Sequence, residues 1–392
     1  MRCEMVWKCE LSLFTFDSSI LLKLVVALVV ILIVGWITHV ITMGYQLFRR
    51  TSSRLELDPT DPLKGMSPSE RDLSDEAEKI RADLMALPHE SLTISKDDIE
   101  LSALYFPAFS DSDQRETVNK TGSEHPSSSI FSNSAHVDKS AGKRCDNPFE
   151  GTCAVVVHGL HGHVLSRATE ALQYLKAGFS VLMPALRGHR PTGGAYTDLF
   201  LNHYDDLILW IDYLKKIDAG ENQKKVRAFV FDGVSMGASN VLKAAGDPNL
   251  PSSVVAVIAD CGYTSLREEG RWMLHKLPFF LRFPVLATTQ IIYGVLAGVW
   301  GEKPTPLDCV RHVSVPVFII HGDSDRLVPT WMGEQLYEAC ASEKKSLWIV
   351  PNATHATSNE FAGSDYTVKR HHFIEEALHI STKSAPDEIE LT

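Results

Sequence analysis

The sequence predicts an α/β fold in which a mostly parallel β-sheet carries helices on both faces. From residue 152 onward, short apolar runs rich in β-branched residues alternate with amphipathic runs of helical length, which is typical of a buried parallel sheet. A Gly-x-Ser-x-Gly pentapeptide at 233–237 stands between one such strand and the next helix. Polar clusters containing Asp and His follow two later strands, at the edge of the sheet where ligands bind.

The predicted elements follow one another regularly along the chain. Residues 92–106 are strand material that is interrupted by a turn at 96–98. Later strands are predicted at 153–157, 179–183, 225–232, 254–259, 315–320 and 346–350. Later helices are predicted at 165–177, 199–217, 238–245, 333–340 and 366–378. Because parallel strands share one carboxyl edge, we expect the polar clusters to converge there.

Composition limits the classes of partner and the compartment. The 392 residues are enough for one large α/β domain with appendages. The net charge of −11 argues against nucleic acid as a partner. The seven cysteines are scattered without a Cys-x-x-Cys pair, which favours free thiols in a reducing compartment. No cofactor and no metal is predicted, and the oligomeric state stays open.

Residues 1–50 are predicted to form an N-terminal membrane anchor. The stretch 24–48 has no Asp, Glu, Lys or Arg, and as a helix it would be about 37 Å long, which exceeds the hydrocarbon core of a bilayer. A cleaved signal peptide is the alternative, but acidic residues precede the stretch and no Ala-x-Ala site follows it. Basic residues are balanced on its two sides, and the adjacent Arg49-Arg50 pair favours a cytosolic location for the rest of the chain. Two N-glycosylation sequons speak against that location.

A polar tether and an amphipathic helix are predicted after the anchor. Ser67-Pro68-Ser69-Glu70 is typical of a capping box, and apolar residues follow at helical spacing. The polar face of this helix is mixed in sign, so packing on the domain is favoured over contact with the membrane. The predicted organisation is an anchor (1–50), a tether with its helix (51–90), a domain (91–383) with a Ser- and Asn-rich disordered insertion (108–149) and an apolar insertion (262–313), and a tail (384–392).

The pentapeptide 233–237 predicts a nucleophile elbow around Ser235. A turn this tight needs glycine at its flanking positions, since a side chain would clash there. The Ser235 hydroxyl would stand at the top of the sheet, and the Met236 N–H would point to where an oxyanion forms. A Gly-Ser turn without function is the alternative for the pentapeptide alone, and only the strand and helix around it favour the elbow.

Two later clusters predict partners for Ser235. The stretch 321–325, His-Gly-Asp-Ser-Asp, follows a strand, and His355 lies in the loop after the last strand. The order Ser, acid, His is the one expected for this kind of site. His355 would take the proton from Ser235, and the carboxylate of Asp325 or of Asp323 would orient the imidazole.

The turn His158-Gly159-Leu160-His161-Gly162 also follows a predicted strand. In an acyl-transfer site the Leu160 N–H would supply the second oxyanion donor. A plain turn is one alternative. A metal site formed by His158, His161 and His163 is another, and it is disfavoured because no carboxylate or cysteine stands near in the sequence.

Six stretches carry a resemblance to a known superfamily: HGLHGH, LRGH, GVSMGAS, ADCGYTS, VPVFIIHGDSDRLVP and VPNATHA. From about residue 155 to the C-terminal helix, the chain resembles the α/β-hydrolases, and among them the membrane-anchored hydrolases with a serine-aminopeptidase-like or monoglyceride-lipase-like domain. The resemblance implies an α/β-hydrolase fold with a helical cap, and its HG-x-x-D pattern implies Asp325 rather than Asp323 as the acid. The chain departs from the family at Arg190-Pro191, at Asp232 and just before His355, which puts substrate preference in question rather than reaction class.

Residues 262–313 occupy the position where this superfamily carries its cap. A second membrane span is the alternative, but Pro284 and Gln290 interrupt the apolar run, and it falls between two core strands. No Asp or Glu occurs between residues 270 and 301, so we expect the cap to line a pocket for apolar acyl chains. The sequence thus predicts a membrane-anchored serine hydrolase that cleaves carboxylic esters with apolar acyl chains, with a lipid or another ester as substrate, through an acyl-enzyme. A serine peptidase or thioesterase on the same fold and a non-catalytic binding protein are the alternatives.

Overall fold

The computed structural model describes residues 18–52, 68–108, 147–197, 199, 203–217 and 226–384. Several predicted segments lie outside the described residues: the N-terminal 17 residues, the tether up to Ser67, most of the 108–149 insertion and the tail after Ser384.

An eight-stranded sheet forms the centre of the fold. Its strands are β1 (Glu90–Lys96), β2 (Ile99–Phe106), β3 (Thr152–Val157), β4 (Ser180–Ala185), β5 (Ala228–Val234), β6 (Val254–Asp260), β7 (Val317–Gly322) and β8 (Lys345–Val350). They lie in the order β1-β2-β4-β3-β5-β6-β7-β8. β2 pairs antiparallel with β1 and β4, and all other pairs are parallel. The chain moves outward in opposite directions from β3, so the carboxyl ends of β3 and β5 flank the switch point where ligands bind in such sheets.

Helices cover both faces of the sheet. They are α1 (Ser18–Ser52), α2 (Pro68–Met85), α3 (Ala168–Ala177), α4 (Asp206–Ile217), α5 (Met236–Ala245), α6 (Leu266–Met273), α7 (Phe279–Ala297), α8 (Pro306–Cys309), α9 (Thr330–Ala339), α10 (Ser358–Ala362) and α11 (Ser364–Ser384), with a short 3₁₀ turn at Val310–His312. One core cluster joins the sheet to α4, α5 and α9, and the other joins it to α2, α3 and α11. Strands buried on both faces explain why the strand sequences are continuously apolar.

Two helices begin later than the sequence predicts. α3 starts at Ala168 rather than at 165 because a hydrogen-bonded turn precedes it: Ser166 Oγ accepts the N–H of His163 at 2.6 Å, and the Ser166 N–H donates back to the His163 carbonyl at 2.9 Å. α4 starts at Asp206 rather than at 199. The Asp206 carboxylate accepts two hydrogen bonds from Arg187, at 2.7 and 3.0 Å, which places this first turn of α4 against the loop after β4.

Helix α1 projects beyond the domain and then packs on it. The described side chains between residues 19 and 39 are all exposed, whereas Val40, Gly44, Phe48 and Ser52 form a buried stripe one helical turn apart. Within the described part of the chain, two helices are long and apolar enough to cross a bilayer, Leu22–Ser52 and Phe279–Ala297. The second of these is α7, which packs against the buried stripe of α1.

Candidate active site

Ser235 lies at the tip of a tight turn between β5 and α5. Its φ of 55° and ψ of −118° put a non-glycine residue in a strained region of backbone conformation. A Cβ on Gly233 would lie 2.3 Å from the carbonyl oxygen of Gly237, and a Cβ on Gly237 would lie 2.5 Å from that of Val157. The turn therefore accepts only glycine at these two positions, and it holds Ser235 out at the carboxyl edge of the sheet.

The side chains of Ser235, His355 and Asp325 form a continuous hydrogen-bonded relay. Ser235 Oγ and His355 Nε2 are 2.8 Å apart, and His355 Nδ1 is 2.8 Å from Asp325 Oδ2. An ionised carboxylate only accepts hydrogen bonds, so Nδ1 carries the proton and Nε2 is left as the acceptor for the serine hydroxyl. The fold thus brings together three residues that the sequence places after β5, β7 and β8, with the imidazole in the tautomer that a general base requires.

Backbone groups fix Asp325 in the loop after β7. Its Oδ1 accepts the N–H groups of Leu327 and Val328, each at 2.9 Å. Burial acts to raise the pKa of the Asp325 carboxyl, but hydrogen bonds with His321 and His355 outweigh burial and lower the pKa to about 2. Asp325 therefore stays ionised at neutral pH and is suited to stabilise an imidazolium at His355.

Asp323, the alternative acid, holds the loops rather than the imidazole. It is exposed, and its Oδ1 accepts the N–H of Asn352 at 2.7 Å and the hydroxyl of Ser324 at 2.9 Å. This contact joins the β7 loop to the loop that carries His355. The geometry favours Asp325 as the partner of the histidine.

The turn at 158–162 lies directly against Ser235. A Cβ on Gly159 would lie 3.3 Å from Ser235 Cβ. Leu160 is the next residue of this turn, and Met236 is the first residue of α5, where the N–H has no carbonyl one turn earlier to bond. Both candidate oxyanion donors therefore belong to backbone that borders the serine.

His158 is a core residue that uses both of its ring nitrogens. Nδ1 donates to the Gly159 carbonyl at 2.8 Å, and Nε2 accepts the Leu186 N–H at 3.2 Å. Burial, with a smaller contribution from the neighbouring His189, lowers the pKa of His158 to about 3, so the ring is neutral. An imidazole engaged in this way has no nitrogen for an ion, which weighs against the metal site considered from the sequence.

One group of metal-binding residue types within the described ranges coincides with the relay itself. Ligand atoms of Cys261, Asp325 and His355 lie within 4.8 Å of one another. Burial raises the pKa of the Cys261 thiol well above its usual value, so the sulfur keeps its proton instead of becoming the thiolate that binds metals. We interpret these three residues as part of the relay and its packing.

Asp260 links the elbow to the loop of His355, and sequence reasoning missed it. Its carbonyl accepts the Ser235 N–H at 2.8 Å. Its carboxylate accepts the hydroxyls of Ser358 and Tyr366, each at 2.9 Å. Ser358 lies only three residues after His355, so one buried residue at the end of β6 contacts both Ser235 and the histidine loop. A lone Asp closing an apolar strand was the signal that could have revealed it.

Asp232 anchors the strand beneath the elbow. This fully buried carboxylate accepts hydrogen bonds from Arg167 at 2.7 Å, from the Tyr174 hydroxyl at 2.6 Å and from Arg370. Burial acts to raise its pKa, and the two guanidinium groups outweigh this and lower it. The sequence marks Asp232 only as a departure from the family, because partners on α3 and α11 are distant along the chain.

Glu269 is a second acid that the sequence alone does not mark as part of the site. It is 8% exposed, and its Oε2 has no hydrogen-bond partner among the described residues. Trp272, one turn later on the same face of α6, donates its Nε1–H to the Arg326 carbonyl at 2.9 Å, so this face lies on the loop of Asp325. Burial and the negative charge of Asp325 raise the pKa of Glu269 to about 8. The group is therefore mostly uncharged at neutral pH.

The apolar insertion at 262–313 has both buried and exposed side chains. Val285 and Tyr293 are buried, and the Tyr293 ring packs on α1. Phe279, Phe280 and Phe283 are 80%, 55% and 71% exposed. These three phenylalanines consequently do not line a pocket above Ser235, so the expectation that the whole insertion lines an acyl pocket is wrong for them.

The sheet order, the elbow and the helices on both faces define an α/β-hydrolase, and the chain belongs to the α/β-hydrolase superfamily. Within it, the family described as serine aminopeptidase, S33, matches residues 305–362. This hydrolase family is homologous to lipases and esterases.

Comparisons with individual proteins agree with this placement. YqkD of Bacillus subtilis (strain 168), itself uncharacterized, is 28% identical over 221 residues, or 55% of this chain and 67% of its own length. A thermostable monoacylglycerol lipase of Bacillus sp. (strain H-257) is 23% identical over 53% of this chain and 84% of its own length. The lysophosphatidylserine lipase ABHD12 of Danio rerio is 27% identical over 29% of this chain and 28% of its own length. The solved structure of the Pyrococcus furiosus esterase Pf2001 has a TM-score of 0.52 and 17% identity, over 76% of this chain and 95% of that one, a likeness of fold.

Proposed function

We propose that the protein is a serine hydrolase that cleaves carboxylic esters with apolar acyl chains. The observation that carries this proposal is the relay of two 2.8 Å hydrogen bonds from Asp325 through His355 to Ser235, at a serine held in strained backbone. The lipase and esterase relatives support an ester as the substrate class. A non-catalytic binding protein would have no need of the strained serine or of the oriented imidazole.

The proposed mechanism follows from the positions of these groups. Ser235 Oγ attacks the ester carbonyl while His355 Nε2 takes its proton, and the Leu160 and Met236 N–H groups stabilise the oxyanion. The imidazolium, stabilised by Asp325, then protonates the leaving alcohol. A water molecule, deprotonated by His355, attacks the acyl-enzyme, and return of the proton to Ser235 Oγ releases the acid.

Membrane anchoring is part of the proposal. The exposed side chains of α1 between residues 22 and 34 are almost entirely Leu, Val and Ile, and a run from 19 to 39 is about 30 Å long, the thickness of a bilayer's hydrocarbon core. In this proposal residues 1–50 form the anchor, residues 91–383 form the hydrolase domain with a cap at 262–313, and the domain lies in the cytosol. A shift in electrophoretic mobility after glycosidase treatment would contradict the cytosolic location.

A serine aminopeptidase is the second candidate, because one observation favours it. Glu269 presents an unpaired, buried carboxyl oxygen beside the Asp325 loop, and an ammonium group of a substrate would lower its raised pKa and pair with it. The match of residues 305–362 to the serine aminopeptidase family is consistent with this alternative. Against it, no further acid occurs between residues 270 and 301.

The two candidates predict opposite substrate preferences for the full-length protein in detergent. For the esterase, kcat/KM on p-nitrophenyl esters increases a few-fold with each added carbon until the pocket is full, since each buried methylene contributes roughly 0.8 kcal/mol. Amino-acid p-nitroanilides serve as the comparison, and Ser235→Ala is the control for background hydrolysis. Faster cleavage of the anilides, or no dependence on chain length, would replace the ester proposal with the peptidase.

A further inference from the structure

Helix α7 lies against α1 through close and specific contacts. The Thr289 hydroxyl donates to the Gly44 carbonyl at 3.2 Å, and a Cβ on Gly44 would lie 2.9 Å from Thr288 Cβ. Further along both helices, the Tyr293 hydroxyl is 2.6 Å from Thr51 Oγ1. The missing side chain at Gly44 lets the two backbones approach, as small residues do between paired helices in membranes.

The order of these contacts shows that the two helices run in the same direction. Moving from Gly44 to Thr51 along α1 corresponds to moving from Thr289 to Tyr293 along α7. The first residue of α7 lies nine residues before Thr288, or about 13 Å back along the axis. Residue 279 is therefore level with about residue 35 of α1, inside the stretch that carries no charged side chain.

The side chains at this end of α7 are apolar and exposed. Phe279 and Phe283 are 80% and 71% exposed, and Phe280, between them, is 55% exposed. Ile291 and Val295, farther along α7, are also exposed. Three neighbouring phenylalanines facing water would be a costly surface for a soluble domain, whereas a lipid phase would accept them.

The charged residues between positions 270 and 301 are all basic. Although the chain carries a net charge of −11, residues 270–301 contain no acid, and Arg271 and Lys276 lie exposed just before the phenylalanines. On α1, Arg49 and Arg50 are exposed beyond the contact with α7. Cations next to an apolar face match the headgroups of anionic phospholipids.

We propose that the first turns of α7, which carry Phe279, Phe280 and Phe283, enter an anionic phospholipid bilayer beside α1, so that the cap contacts the lipid and receives substrate from it. The inference rests on the proposed anchoring of α1. It adds that the cap helix itself is a membrane element, and that the two parallel helices form one lipid-facing unit.

Photo-crosslinking of the full-length chain in proteoliposomes tests this inference. p-Benzoylphenylalanine is placed at Phe283, and the vesicles contain phosphatidylserine, phosphatidylcholine and a tagged phospholipid. Val368, 62% exposed on α11, is the matched exposed apolar control, and Ile33, 51% exposed on α1, reports on the anchor. The expected result is a lipid adduct at positions 283 and 33 and about tenfold less at 368. Adduct formation at 283 should also fall when phosphatidylserine is omitted.

The outcomes separate this inference from the proposed function. A lipid adduct at 33 with none at 283 would overturn the membrane role of α7 and leave the anchor standing. No adduct at either position would overturn both, and a crosslinked dimer at 283 would assign the face to a second copy of the chain. Hydrolysis of a water-soluble acetate ester, measured on the same samples, reports separately on the hydrolase.

A paired substitution gives an independent readout. Phe279→Asp with Phe283→Asp should lower hydrolysis of a monoacylglycerol embedded in vesicles by about tenfold, because charged side chains leave the bilayer. Hydrolysis of the soluble ester should be unchanged, and Val368→Asp should change neither activity. Equal rates on the embedded substrate for the paired variant and the wild type would contradict the proposal.

Discussion

The Ser235 N–H donates to the Asp260 carbonyl at 2.8 Å, and the carboxylate of the same Asp260 holds Ser358, three residues after His355. The serine and the histidine loop are therefore positioned from one residue at the end of β6. The backbone bond to Ser235 does not involve the Asp260 side chain, so substitutions at Asp260 remove the bonds to Ser358 and Tyr366 and leave that bond in place.

We expect Asp260→Ala to lower kcat on a soluble ester by about a hundredfold with little change in KM, since misplacing a catalytic group by about 1 Å has an effect of this size. Ser358→Ala removes one of the two bonds and should have a smaller effect in the same direction. Steady-state kinetics on folded protein, checked by circular dichroism, measure both. A change confined to KM would contradict the positioning role.

Asp232→Ala should destabilise the fold strongly without touching the relay. The substitution leaves Arg167 and Arg370 buried without their carboxylate, and breaking a buried ion pair in this way costs about 3–5 kcal/mol. Denaturant unfolding gives the free energy of unfolding. Asp365→Ala, on the exposed first turn of α11, is the control and should be nearly neutral. Equal stability of the two variants would show that the buried network contributes nothing.

Glu269 makes the stability of the fold depend on pH. Burial raises its folded-state pKa to about 8, above the ordinary value of 4.5 for a glutamate side chain. Between these values the folded state keeps a proton that the unfolded state has lost, so stability falls with rising pH, by up to about 1.4 kcal/mol per pH unit. Glu302, with a pKa raised to about 7 by burial, adds to the same trend.

Glu269→Gln should therefore flatten the decline of the melting temperature between pH 5 and 8. The comparison is made by thermal denaturation in detergent across that range, with the exposed Glu343→Gln as control. Parallel pH profiles for Glu269→Gln and the wild type would mean that the Glu269 carboxyl is ionised in the folded protein.

Truncation should separate anchoring from packing. Removal of residues 1–38 deletes the exposed part of α1 and keeps Val40, Gly44 and Phe48 on the domain. We expect this variant to leave the membrane pellet in carbonate while it retains ester hydrolysis. Removal of residues 1–52 also deletes Phe48, whose ring centroid lies 4.8 Å from that of Tyr293. A large core side chain of this kind contributes about 3–5 kcal/mol to the free energy of unfolding, so we expect this variant to melt at a lower temperature than the shorter truncation.

Wild-type protein in the carbonate supernatant would contradict the anchor. Equal melting temperatures for the two truncations would contradict the packing of α1 on the domain.

Local patterns predicted the strands, the helices and the turn at Ser235, whereas the choice of Asp325 over Asp323 came from the resemblance to a known superfamily. Strands and helices are contiguous in sequence, so hydrophobic periodicity predicts them. The glycines at 233 and 237 indicate a tight turn, because a side chain at either position would clash with the backbone. Element starts were less accurate, as at Asp206, because a distant Arg187 fixes the first turn of that helix.

The roles of the buried acids could be recognised only from the three-dimensional structure. Asp232, Asp260 and Glu269 are single carboxyls within ordinary runs, and each acquires its role from groups on other elements. The exposure of Phe283 could not be predicted from composition either, because an apolar helix has the same composition whether it lines a pocket or faces lipid.

Covalent labelling shows whether Ser235 is the nucleophile. The wild-type protein is treated with a fluorophosphonate probe and digested, and tandem mass spectrometry locates the adduct. We expect modification of Ser235, loss of labelling in Ser235→Ala, and a labelling rate several orders of magnitude lower in His355→Ala, because the relay acts as a unit. Asp323→Asn should still be labelled. An adduct on another serine, or an unlabelled wild-type protein, would contradict the assignment of Ser235 as the nucleophile.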